Sequence, residues 1–187
     1  VAYRIEPIDL LAGAQHHNEY SALNPAKGVP TLILADGTVL TQSMAILDFI
    51  EETWPDPPLV PRDPLARARV LEAAYAVAID VHPVNNLRVG RLLQDVIGAD
   101  AEAAMTWMQQ WIQQGFEVYE TLVSDTSKFA FGDTPDLSDL CLVAQTYNAH
   151  RWGVDLSPFP NILRVEAACL AVPAIAAAHP DQQPDAQ

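Results

Sequence analysis

Gly28-Val29-Pro30-Thr31-Leu32-Ile33-Leu34, then Asp36-Gly37, then Thr38-Val39-Leu40-Thr41-Gln42-Ser43, is the stretch that decides the fold. Two β-rich apolar runs joined through Asp-Gly predict a hairpin. The residues behind it, Gln42 to Trp54, predict one amphipathic helix. Ile46, Leu47, Ile50 and Trp54 take one face, and Asp48, Glu51 and Glu52 the other. Pro55-Asp56-Pro57-Pro58 stops that helix. Ahead of the hairpin, Tyr3, Ile5, Ile8 and Leu10 alternate loosely and predict a strand over 3–11. Ala14 to Leu23 is polar and uneven, a loop with a short helix. The first part of the chain therefore reads as α/β.

The Pro-dense segment 55–64 is the natural boundary, and everything beyond it reads as helical. The expected division is a first domain at 1–56, a linker at 57–63 and an all-helical domain at 64–187. Asp63-Pro64 opens a helix that the Ala-rich sequence can carry to about Leu93. Ala99 to Val123 predicts a second, burying Ala103, Trp107, Trp111, Ile112, Phe116, Tyr119 and Leu122. Asp136-Leu137-Ser138-Asp139 has the form of a capping box and opens a helix through about His150. Pro160 to Leu170 and Pro173 to Ala178 predict two more, and His179 to Gln187 is a polar tail.

Twenty-four acidic residues against ten Lys and Arg give a net charge of −14 over 187 residues. Such a surface offers no counter-charge to nucleic acid or to an anionic membrane, and neither is expected as a partner. A small anionic ligand needs only a local group of cations. No apolar run reaches about 18 residues, the length of a membrane span, and no signal-peptide pattern is visible. Cys141 and Cys169 sit among apolar residues without metal-ligand spacing, so two buried free thiols of a cytoplasmic protein are expected.

Several segments together resemble the zeta class of glutathione S-transferases, the maleylacetoacetate and maleylpyruvate isomerase family. They are Leu23-Asn24-Pro25-Ala26-Lys27-Gly28-Val29-Pro30-Thr31-Leu32, Leu40-Thr41-Gln42-Ser43-Met44-Ala45-Ile46-Leu47, and Asp80-Val81-His82-Pro83-Val84-Asn85-Asn86-Leu87-Arg88-Val89. Phe131-Gly132-Asp133 to Asp139 and Val154-Asp155-Leu156-Ser157-Pro158-Phe159-Pro160 add to them. The His-Pro-x-Asn-Asn stretch carries the zeta-like part. The resemblance implies a thioredoxin-like first domain and an all-α second domain, with the family's first βα unit placed before Val1. The Ser/Cys motif that activates the thiol belongs to that unit, so no catalytic residue is assigned. A chain that physically began at Val1 would lack it, together with a central strand.

The resemblance implies glutathione as cofactor, a small dicarboxylate as substrate and a homodimer. Lys27, Val29, Pro30, Gln42, Ser43, His82 and Asn85 are the implied glutathione-binding residues, and Arg88 and Arg151 the implied substrate-binding ones; no metal is implied. The residues suit these roles. A cis Val29-Pro30 bond leaves the Val29 backbone free to pair strand-fashion with the cysteinyl backbone. A helix start at Gln42-Ser43 suits a carboxylate, although Thr41 and Ser43 are also ordinary cap types. Lys27 reads equally as a carboxylate contact or a surface lysine. His82, Asn85 and Arg88, three apart, form a polar stripe on an Ala-rich helix that Pro83 should kink. Arg151 at a helix end satisfies the dipole alone, yet bidentate pairing is what a diacid needs. Asp139 reads as a cap, His16 and His17 as solvated loop, Arg91 as surface, and Trp107 and Trp111 as core.

The implied reaction is cis–trans isomerisation of a maleyl keto-diacid: a thiolate adds to the double bond, the bond rotates, and elimination returns glutathione. Arg88 inclines the choice slightly to maleylpyruvate over maleylacetoacetate. A general zeta transferase acting on small electrophiles such as α-halo acids is the alternative enzyme. A non-catalytic glutathione-binding module is the alternative of a different class.

Overall fold

The computed structural model describes residues 1–183; the end of the polar tail, 184–187, lies outside the described residues. Two compact units form, Val1–Pro57 and Pro58–Gln183.

In the first unit, Asn18–Leu23 forms α1, Thr31–Ile33 and Val39–Thr41 form β1 and β2, and Ser43–Thr53 forms α2. The strands pair antiparallel with Thr31 opposite Thr41 and Ile33 opposite Val39. Asp36-Gly37 makes the turn: Gly37 takes φ 86°, and Asp36 Oδ1 accepts from the Thr38 N–H at 2.9 Å. Gly37 is the residue that can adopt that φ without strain.

The strand expected over 3–11 is not formed. Alternation alone does not make a strand, because its backbone groups need a ladder partner. The sheet among the described residues pairs only β1 with β2, and Tyr3 is 82% exposed. Asp9 instead closes a local turn, its Oδ1 accepting from the Leu11 and Ala12 N–H groups.

The second unit is helical throughout. It comprises α3 (Pro64–Tyr75), α4 (Leu87–Asp95), α5 (Ala101–Leu122), α6 (Leu137–Arg151), α7 (Pro160–Leu170) and α8 (Pro173–Ala177). Asp63 caps α3 as its Asp-Pro start predicts, accepting from the Leu65 and Ala66 N–H groups.

The single helix expected from Asp63 to about Leu93 is broken. After α3 the chain widens into a π-helical turn, Ala76–Val81, then tightens into a 3₁₀ turn, His82–Asn85. Pro83 has no N–H to give to the preceding turn, which breaks the α-helical ladder. Asn86 then begins α4 afresh, its side chain accepting from the Arg88 N–H.

The buried side of α5 also differs from expectation. It is Ala104, Met108, Ile112, Gly115, Phe116 and Tyr119. Ala103 is exposed, and Trp107 and Trp111 sit at the edge of the stripe. The core centres on Phe116, Tyr119, Phe129, Leu142, Ile162 and Val165, each 1% exposed or less. The capping box at α6 is formed, with Asp136 and Asp139 each accepting from the other's end of the turn. Cys169 is buried and Cys141 half-buried, both as free thiols. Burial pushes each up to about 12, so neither is a thiolate at neutral pH.

Candidate functional site

The first unit shapes the loop from Lys27 to Pro30 with two side chains that reading of the sequence did not single out. The Gly28 carbonyl accepts from the Tyr20 hydroxyl at 2.6 Å and from Asn24 Nδ2 at 2.8 Å. Both side chains also reach Thr31 Oγ1, and Asn24 is buried. They hold Lys27 in the left-handed region, φ 53°, and lead into a cis Val29–Pro30 bond, as expected there. Val29, Pro30 and Lys27 are exposed.

At the start of α2, Gln42 takes φ 73°, and no side chain caps the helix. A bulky residue held there is strained, and such strain concentrates at functional positions. The first-turn N–H groups of α2, with the exposed Ser43 hydroxyl beside them, offer an anion a ready set of donors.

In the helical unit, His82 and Asn85 lie on the 3₁₀ turn rather than on a continuous helix. Residues three apart eclipse in that geometry, so the two still share a face. Arg88 belongs to the next helix, in its exposed first turn. His82 keeps appreciable solvent exposure, yet partial burial of its ring, and secondly the Arg88 guanidinium, hold its pKa below the ordinary histidine value. It is neutral at pH 7 and acts as a hydrogen-bond partner rather than a cation.

Asn85 differs from a free ligand group. Its Nδ2 donates to the Met108 carbonyl at 3.1 Å, and its Oδ1 is buried and without a partner among the described residues. A buried orphan acceptor costs about 1–3 kcal/mol unless a donor reaches it. An arriving amide or ammonium group would satisfy it.

Arg151 ends α6, exposed, with its guanidinium 5.8 Å from the centroid of the Tyr147 ring. The Tyr147 hydroxyl donates to Asp181 at 3.0 Å, tying the polar tail to the same helix face. His150, beside it, pairs with Glu166 at 2.9 Å. Asp139 is fully buried and serves as a cap, not as a site residue. Trp107 is more than core: its indole N–H donates to the Val84 carbonyl at 2.9 Å.

The features of the first unit suit a peptide-like anion such as glutathione. There an uncapped helix start can receive a carboxylate, and a strained loop presents exposed backbone.

Comparison with known proteins agrees. Residues 1–53 match the family model described as glutathione S-transferase, N-terminal domain. A maleylacetoacetate isomerase of Rhizobium meliloti (strain 1021) is 42% identical over 183 residues, which is 97% of this chain and 85% of that protein. The solved maleylacetoacetate isomerase of Methylobacterium extorquens AM1, with malonate and glutathione bound, has a TM-score of 0.96. It is 38% identical over all of this chain and 89% of its own. A bacterial maleyl pyruvate isomerase, a zeta-class glutathione transferase, has a TM-score of 0.93 and 40% identity, covering 96% of this chain and 86% of its own. The chain belongs to the maleylacetoacetate and maleylpyruvate isomerase family, within the zeta class of glutathione S-transferases. Its fold is therefore a thioredoxin-like α/β part followed by an all-helical part.

Proposed function

We infer that the protein is a glutathione-dependent cis–trans isomerase of a maleyl keto-diacid, maleylpyruvate or maleylacetoacetate. Membership in a family of such isomerases, with full-chain identity near 40%, is the observation that carries the reading. Bound glutathione would supply a thiol that adds reversibly to the cis double bond and so permits rotation.

The division of labour we propose places glutathione binding in 1–56 and diacid binding in 64–187, joined by the linker 57–63. Lys27, the Val29 backbone beside Pro30, Gln42 and Ser43 receive glutathione, with the first-turn amides of α2 on a carboxylate. Neutral His82 and the Asn85 Oδ1 contribute hydrogen-bonding groups. Arg88 and Arg151 hold the substrate carboxylates. Only ten cations stand against 24 acids, so two arginines at these positions favour an acidic substrate. We propose a cytoplasmic homodimer engaged in aromatic-compound breakdown. Exposed Leu65, Tyr75 and Ile79 offer apolar surface for a second copy, and the two free thiols suit a reducing compartment.

Arg88→Ala and Arg151→Ala test the assignment. Losing one charge-assisted hydrogen bond costs about 1.5–3 kcal/mol, so each variant should raise KM for the diacid about 10- to 100-fold. KM for glutathione should stay near that of the parent. Steady-state kinetics with each co-substrate varied in turn decide it; unchanged diacid KM in both variants removes the arginines from the site.

A further inference from the structure

The 3₁₀ turn that carries His82 and Asn85 is held by two reciprocal hydrogen bonds. The Trp107 indole N–H donates to the Val84 carbonyl at 2.9 Å. From the adjacent residue on each side, Asn85 Nδ2 donates to the Met108 carbonyl at 3.1 Å. Val84-Asn85 and Trp107-Met108 thus grip each other, backbone to side chain in both directions. Met108 is 2% exposed, and a Cβ at Gly90 would come within 3.2 Å of its Cε, so α4 rests on the same residue. The Trp111 ring lies 5.8 Å from that of Trp107 and fixes its plane.

The turn lies between a π-helical turn and a new helix start, and a 3₁₀ turn has poorer hydrogen-bond geometry than an α-helix. We propose that Trp107 is a positioning residue for the glutathione and diacid site: its indole N–H locks the turn, and the lock sets where His82, Asn85 and Arg88 stand. The clamp also fixes which atom Asn85 offers. With one Nδ2 hydrogen engaged on Met108, Oδ1 is the buried acceptor left over, so the clamp sets Asn85 to accept from a donor that reaches it. This part rests on the glutathione reading above.

Trp107→Phe removes the donor and keeps an aromatic ring at the position. Two readings are taken. The first follows the His82 ring by NMR titration without glutathione. Its pKa is lowered by burial and by Arg88, both of which require the turn to stay in place, so it should move up toward the ordinary histidine value. The second is kinetic: KM for glutathione should rise about 5- to 10-fold while kcat changes less than about twofold, as expected for loss of one ground-state positioning bond. A variant that melts earlier but keeps the parent His82 titration and the parent KM overturns the proposal, because Trp107 is then only packing. A shifted His82 titration in a protein whose parent fails to bind glutathione upholds the clamp and removes the ligand reading. Should Trp107→Phe not fold, the parent protein decides. Glutathione should shift the Trp107 indole N–H resonance, and a resonance untouched at saturating glutathione contradicts the coupling.

Discussion

Asp139→Ala is expected to lower the unfolding free energy by about 3 kcal/mol at pH 7. Asp139 is 0% exposed. Its Oδ1 accepts from the Ala130 N–H at 2.9 Å and its Oδ2 from the Asp136 N–H at 2.7 Å. Alanine orphans both donors, each at about 1–3 kcal/mol, and dissolves the capping box. Relief of a buried charge offsets part of this. Burial and, secondly, the Asp136 carboxylate raise the Asp139 pKa to about 6.

That shift has a definite sign in stability. The unfolded group titrates near 3.8 and the folded one at about 6. Between these values the folded protein holds the extra proton, so stability from this residue is fully present below about pH 4 and is lost as pH rises through 6. The amount is on the order of 2–3 kcal/mol. Asp139→Asn abolishes the titration. Denaturant unfolding at pH 4 and pH 7 should therefore show parent and Asn variant differing more at pH 4. A difference that stays constant across that range contradicts a raised Asp139.

Gly115→Val is expected to cost about as much, by overpacking. A Cβ at 115 would lie 2.0 Å from Val81 Cγ2, with the Ala76 carbonyl oxygen 3.6 Å away. Val81 is 1% exposed and β-branched, so its side chain has little room to turn aside. Glycine in mid-helix sacrifices about 1 kcal/mol against alanine, and overpacking costs about 1–3. Alanine already carries that Cβ, so Gly115→Ala should be destabilised by about 1–2 kcal/mol even after the gain in helix propensity, and Gly115→Val by about 3 kcal/mol. Val81→Ala in the Gly115→Ala background opens the space the new Cβ needs. The double variant should be more stable than the sum of the single effects predicts. Strict additivity would show that the approach of α5 to the π-helical turn is not close.

The sequence made the hairpin, α2, the α6 capping box and the Pro-initiated helices legible because each is a local device. Asp36-Gly37 dictates a turn by itself, and Asp136 with Asp139 caps a helix from three residues away. The strand expected over 3–11 does not form because a strand needs a partner strand, which periodicity does not contain. The break between Ala76 and Asn86 was legible only as a kink at Pro83. Where the ladder reforms depends on Asn86 capping α4 and on Val81 fitting against Gly115, both decided by packing. The side chains proposed for the site show the same division. Gln42-Ser43 at a helix start and cis Val29–Pro30 sit where expected. The braces behind them, Tyr20 and Asn24 on the Gly28 carbonyl and Trp107 on the Val84 carbonyl, bridge separations of 4 to 23 residues and leave no local pattern.

The most direct measurement is the turnover of maleylpyruvate and maleylacetoacetate by the purified protein, followed by absorbance with glutathione varied from zero to saturation. The account predicts no turnover without glutathione, saturable turnover with it, and full recovery of glutathione at the end. Saturable glutathione binding with no isomerisation of either diacid, or turnover indifferent to glutathione, would contradict it.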